Sequence, residues 1–286
     1  MIKRSLALLL AAVVAAVAVH AVAARPAARV SHRIVSLSPT ATEMLFAVGG
    51  GKQVVAVDNQ SNIPASAPRT SLSGLTSSPE AIAAYRPDLV VLQFDPGGLV
   101  SGLEKLGIRT LVQPAARSLD ESYEQIRQLG SATGHLAKAK SVVGWMRSRI
   151  SALYRSAGVQ TRQLSVYYEL DDTYYSATSN TFIGQILAAL GLRNIADAAD
   201  KSGSGYPQLS AEYIVSSSPD VIILADSNCC KQSAETVAAR PGWSTIAAVR
   251  RGGVFSVDDD LASRWGPRTV ALVRIIAARM KALRGQ

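Results

Sequence analysis

The stretch SPEAIAAYRPDLVVL (Ser78–Leu92) returns in altered form as SAEYIVSSSPDVIIL (Ser210–Leu224), 132 residues downstream. Each copy opens on a serine, sets a glutamate seven residues ahead of a Pro-Asp pair, and ends in four apolar residues. In the first copy Ser78 is a side-chain cap, Pro79 suits the first helical position, and EAIAAY is a short helix that Pro87 and Asp88 stop. LVVL then has the unbroken apolar character of a strand buried on both faces. A chain that writes this unit twice is a duplicated α/β protein, not a short-period solenoid.

Outward from the first copy the alternation continues. RIVSLSP (Arg33–Pro39) and QVVAV (Gln53–Val57) read as strands, with Thr40–Glu43 at capping-box spacing ahead of a helix EMLFAVG that ends at Gly49 to Gly51. GLEKLG and IRTLVQP add a helix and a strand. From Leu119 the pattern changes to longer helices, and His135–Ala157 reads as one helix of about 34 Å. Beyond it QLSVYYEL is a strand, TFIGQILAALG a helix, GGVFSVD a strand, and GPRTVALVRIIAARMKAL an amphipathic closing helix. The expected fold class is α/β: two similar α/β lobes with mainly parallel sheets, residues 33–134 and 158–286, bridged by a single long α-helix at 135–157, with a ligand cleft between the lobes.

Residues 1–24 read as an export signal. Lys3 and Arg4 precede an apolar run from Leu6 to Ala24 broken only by His20, and Val22, Ala23 and Ala24 offer a cleavage site. The run approaches bilayer-spanning length, so an uncleaved anchor is the alternative, and 25–32 is a linker. No cysteine stands nearby for lipid attachment. The chain carries a formal charge of +9, or +7 without Lys3 and Arg4. Its basic residues are scattered and no basic run is interleaved with aromatics, so a nucleic-acid partner is not expected.

RIVSLSPTATEMLFAVG, PEAIAAYRPDLVVL, the long central helix, LSAEYIVSSSPDVIIL and GWSTIAAVRRGGVFSVD together resemble the substrate-binding proteins of ABC importers, in the class that carries ferric siderophores, haem and vitamin B12. The ordered set spans about Arg33 to Leu283. The resemblance implies an exported, periplasmic or cell-surface protein, monomeric and with no enzymatic activity. It would hold a small metal chelate between its lobes and deliver it to a permease and its ATPase. It also implies a glutamate in each lobe that pairs with permease arginines; Glu80 and Glu212 occupy those positions. A helix's first turn favours a carboxylate in any case, so stabilisation of the helix is the alternative reading of both acids, with docking the one the resemblance favours. No resident cofactor is expected, since the cargo carries its own iron or cobalt. Where B12 binders of this class place a tryptophan after the second strand, this chain has SLSGLTSS, and the chelate stays unnamed.

Ligand contacts are expected from loops at the C-terminal ends of strands. These are DNQSN (Asp58–Asn62), SGLTS (Ser73–Ser77), QFDPGG (Gln93–Gly98), DDTYYSATSN (Asp171–Asn180), GSGYPQ (Gly203–Gln208), ADSNCC (Ala225–Cys230) and ASRWGPR (Ala262–Arg268). From them Asn59, Gln60, Phe94, Asp95, Tyr174, Tyr175, Tyr206, Arg264, Trp265 and Arg268 are the candidate contacts: aromatic walls, a few polar points and two guanidinium forks for anionic oxygens. Packing is the alternative for Phe94 and Trp265, and capping or pairing within the last helix for Arg268.

The three histidines, His20, His32 and His135, avoid those loops, so no protein-held metal is expected. Cys229 and Cys230 are the only cysteines. As neighbours they could form a strained vicinal disulfide, their Cα atoms standing about 3.8 Å apart across a trans peptide. An exported α/β enzyme using the cysteine pair or Asp171, and a ligand sensor on the same fold without a transport role, are the competing readings.

Overall fold

Short apolar runs bounded by Ser-Pro, Pro-Asp and Gly punctuation build the chain, and each run becomes one strand or one helix. The computed structural model describes residues 29–157 and 163–284; the expected leader lies outside them. The first half contains β1 (Ile34–Leu37), α1 (Pro39–Ala47), β2 (Val54–Val57), α2 (Pro79–Ala83), β3 (Leu89–Leu92), α3 (Leu99–Lys105), β4 (Arg109–Val112) and α4 (Leu119–Ala132). The long helix α5 (Leu136–Ala157) follows. The second half contains β5 (Leu164–Glu169), α6 (Phe182–Ala189), β6 (Leu192–Asn194), α7 (Ala211–Ser217), β7 (Val221–Leu224), α8 (Ala234–Ala238), α9 (Ala247–Arg250), β8 (Val254–Ser256), α10 (Asp259–Ser263) and α11 (Thr269–Arg284).

The strands form two four-stranded sheets, ordered β2-β1-β3-β4 and β6-β5-β7-β8, with every pairing parallel. The two copies of the repeated unit therefore fill the same place in each sheet. Ser78 and Ser210 both cap, accepting from Ala81 N at 3.2 Å and Tyr213 N at 3.1 Å. The Pro-Asp pair has a job that its turn-forming chemistry does not announce. Asp88 accepts from the His32 amide just before β1 at 2.8 Å, and Asp220 from the Ser165 amide on β5 at 3.0 Å. Each aspartate pins the entry of the neighbouring strand. All four residues of β3 and of β7 are buried, at about 1.5–3 kcal/mol for each large side chain.

α5 packs on α4 and on α11. A single apolar cluster runs from Ile34 and Met44 through Leu129, Met146 and Ile150 to Val166 and Val273, so the two halves share one core across this spine. The capping box expected at Thr40–Glu43 is not formed, and α1 starts earlier. Ser38 is the cap, accepting from Ala41 N at 3.3 Å, because Pro39 fits the first helical position. Thr40 and Glu43 lie buried inside the helix. The expected loop Ala262–Arg268 is part helix, since α10 runs to Ser263.

Candidate functional site

The first sheet reverses its order between β1 and β3, and the crevice beyond the strand ends at such a switch point is where open α/β sheets bind ligands. A cavity of about 340 Å³ lies there, lined by Leu37, Asn59, Gln60, Leu75, Gln93 and Phe94 among others. Asn59, Gln60 and Phe94 are thus brought together as the sequence predicts. Asp95 is exposed beside them and spends one oxygen on the Val100 amide at 3.0 Å.

Asp58 shapes this wall from behind. It is 2% exposed and accepts from the Gln60 amide at 3.1 Å, fixing the turn that presents Asn59 and Gln60. Burial pushes its carboxyl above the usual range, opposed by hydrogen bonds from Ser61 and Gln60 and by the Arg264 charge. Gly74 lets the next loop pass against the end of β1, because a Cβ there would stand 2.8 Å from the Leu37 carbonyl oxygen.

On the second sheet's side, Tyr174 and Tyr175 follow β5. Asp171 accepts from Thr173 N at 2.9 Å and closes that turn, and Tyr174 adopts φ 71°, an uncommon conformation for a bulky residue. The Tyr174 ring lies 5.6 Å from that of Trp243, and the Arg240 guanidinium stands 5.3 Å and 4.5 Å from the two rings. Trp243 and Arg240 carry no signal of this contact in the sequence, since neither belongs to a strand-end loop. Tyr175 and Tyr206 are 41% and 51% exposed, and the loops that carry them are tied by Ser176 N donating to Pro207 O at 3.0 Å.

The two arginines lie differently from the expectation. Arg264 is 5% exposed; it donates to Glu43 Oε1 at 2.8 Å, to Asp260 Oδ1 at 2.6 Å and to the Gln60 carbonyl at 3.2 Å. Arg268 forks onto the same Glu43, Nε to Oε2 and an NH2 to Oε1, both at 2.8 Å. Trp265 is buried, and its Nε1 donates to Gln125 Oε1 at 2.7 Å. All three belong to a joint between the halves, to which Asn62 and Asp260 add a bond of 2.6 Å. A guanidinium with its donors already placed on carboxylates does not stand free to grip an anion, which corrects the expectation for Arg264 and reduces Arg268 to its exposed edge.

Glu80 and Glu212 are exposed in the first turns of α2 and α7. Neither enters an ion pair among the described residues. Hydrogen bonds from its own amide and from Ser210 hold the Glu212 carboxyl below the ordinary range, so it stands ionised. No group of three or more metal-ligating side chains occurs among the described residues.

Cys229 and Cys230 stand as free thiols in this structure; a relaxed bridge needs more separated Cα atoms than adjacent residues offer. The Cys229 thiol is pushed up to about 12, first by its hydrogen bond with Cys230, then by burial and Asp259. A thiol so firmly protonated is a poor nucleophile.

A family model described as "Periplasmic binding protein" matches residues 34–261. The uncharacterized ABC transporter substrate-binding lipoprotein YvrC of Bacillus subtilis (strain 168) is 31% identical over 254 residues, 86% of this chain and 78% of that one. A cobalamin-binding protein of Halobacterium salinarum is 32% identical over 246 residues, 83% of this chain and 66% of that one. Among solved structures, the periplasmic heme-binding protein RhuT of Roseiflexus sp. RS-1 superposes with a TM-score of 0.75 at 24% identity, covering 88% of this chain and 99% of that one. The chain belongs to the periplasmic binding protein family, as an ABC transporter substrate-binding protein that works with a permease and is not an enzyme.

Proposed function

We propose that this periplasmic binding protein is the exported capture component of an importer for an uncharged, amide-fringed metal chelate of the corrinoid type. One observation carries the ligand class. Arg264 and Arg268 are the only cationic residues in the seven strand-end loops, and Glu43 and Asp260 neutralise them. Lys201 and Lys231 flank those loops as exposed cations, and Asp95 and Asp172 oppose them. A dianionic haem or a tris-catecholate chelate needs fixed positive charge. Asn59, Gln60 and Gln93 instead offer amides, which suit a neutral ligand bearing amides of its own. Phe94, Tyr175 and Tyr206 supply exposed aromatic faces for a flat ring system. The relative named as a cobalamin-binding protein supports the same class.

Tyr175 and Tyr206 also favour a second reading, a ferric chelate, because an exposed phenol oxygen is a good ligand for ferric iron. Delivery rests on Glu80 and Glu212. A permease built from like halves needs one acidic contact per lobe at like places, and the repeated unit supplies that.

Calorimetric titration with cyanocobalamin, haemin, a neutral ferric tris-hydroxamate and an anionic ferric tris-catecholate separates these readings. Tight binding of cyanocobalamin with rejection of the tris-catecholate is expected. Preference for the anionic chelate would overturn the ligand class.

A further inference from the structure

Two buried carboxyl groups lie near one guanidinium at the cleft end of the second sheet, and only one of them is bonded to it. Glu169 closes β5 and Asp226 follows β7, and both are 0% exposed. Arg240 forks onto Glu169, NH1 to Oε2 at 2.7 Å and NH2 to Oε1 at 2.6 Å, and NH2 also reaches Gln232 Oε1 at 2.7 Å. Among the described residues, neither side-chain oxygen of Asp226 receives a hydrogen bond from another residue, its own amide being the one donor beside it. A carboxylate stripped of water and of donors does not persist as an anion in a protein interior. The Glu169 carboxylate, however, lies within hydrogen-bonding reach of the Asp226 carboxyl. One proton between the two acids satisfies both and leaves a single negative charge for the single guanidinium.

Every element packed around the pair contributes to this balance. From β5 come Glu169 and the phenols of Tyr167 and Tyr168; from beyond α8 comes Arg240; from α10 Asp259 faces Tyr168. Burial holds both phenols protonated. The Asp226 backbone in turn carries the rim loop: its carbonyl accepts from Cys230 N at 3.1 Å and from the Cys229 thiol at 3.7 Å. Asp259 grips the same loop from the other side through Asn228 N and Cys229 N, at 2.9 and 2.8 Å.

We propose that Asp226 keeps a proton and donates it to Glu169, and that loss of this proton to water loosens the Ala225–Gln232 rim of the cleft. Once Asp226 ionises, two anions compete for Arg240, which also holds Gln232 and lies against Tyr174 and Trp243. The disturbance therefore reaches the rim loop and the aromatic wall together. Burial, then the Glu169 charge, push the Asp226 carboxyl up to about 7, within the range met outside a cell. That this rim borders cargo rests on the function proposed above; the proton and the loop do not.

The test uses the full chain without ligand. Infrared spectra of protein carrying carbon-13-labelled aspartate should show a protonated carboxyl band at about pH 5 that fades through about pH 7 and is missing in Asp226→Asn. Amide exchange across Ala225–Gln232, corrected for the intrinsic rate, should quicken about tenfold or more over the same interval, and not in Asp226→Asn. Absence of the band in the unsubstituted protein overturns the proposal, with no variant needed. So does a pH-dependent loop that persists in Asp226→Asn.

Discussion

Glu43, in the middle of α1, and Arg264, just beyond α10, meet at 2.8 Å although 221 residues separate them, and both side chains are buried. Arg268 completes a three-membered joint on the same carboxylate. The pairing fixes the angle between the halves, and through the Arg264 bond to the Gln60 carbonyl it also fixes one wall of the cavity. Glu43→Gln removes the carboxylate that Arg264 and Arg268 share and leaves Asp260 alone beside two guanidinium groups. It should destabilise the protein by about 3–5 kcal/mol, read as a Tm lower by about 10 °C. An unchanged Tm would show that the joint is incidental.

Phe94 is 43% exposed on the cavity wall, so its ring contributes little to the core. Phe94→Ala should leave Tm within a few degrees and weaken cyanocobalamin binding by about tenfold. Titration calorimetry alongside thermal unfolding checks both halves of that statement.

Asp226 holds its proton to about pH 7 in the folded protein and to about pH 4 in the unfolded chain. The folded state binds the extra proton between those values, so this group lowers stability as pH rises through that window and leaves it untouched below. Asp226→Asn keeps a donor toward Glu169 at every pH. The variant should match the parent near pH 4 and exceed it by about 5 °C in Tm near pH 8. Parallel Tm profiles would contradict the assignment.

Cys229 is exposed but firmly protonated. Its alkylation by a maleimide near pH 7.5 should run at least about tenfold slower than that of free cysteine. Cys229→Ser with Cys230→Ser should leave ligand affinity unchanged. Fast labelling, or lost affinity, would return the pair to the binding machinery.

The fold was legible because its signals are local. Ser78 and Ser210 cap, Pro79 starts a helix, and LVVL and VIIL are buried strands, all readable within fifteen residues. Asn59, Gln60 and Phe94 were legible for a similar reason, since strand ends declare themselves and loops there face the crevice. What stayed hidden depends on distant partners. Glu43 looked like the acid of a capping box, while its real partners lie near the other end of the chain. Arg264 and Trp265 carry the chemistry of ligand contacts, and only three-dimensional packing spends it on Glu43 and Gln125. Arg240 and Trp243 enter the C-terminal wall from outside any strand-end loop. β6 has three residues, too few to show a period.

The central claim is that the repeated unit presents one acid per half to a permease. It is tested most directly by reversing both charges, Glu80→Lys with Glu212→Lys, and measuring uptake and binding of whichever chelate the titration panel selects. Both side chains are exposed and outside every ion pair among the described residues, so folding and cargo affinity should stay at the level of the unsubstituted protein. Cellular uptake should collapse, with each single reversal producing a partial loss. Uptake at the original rate by a double variant that still binds its cargo would contradict the account.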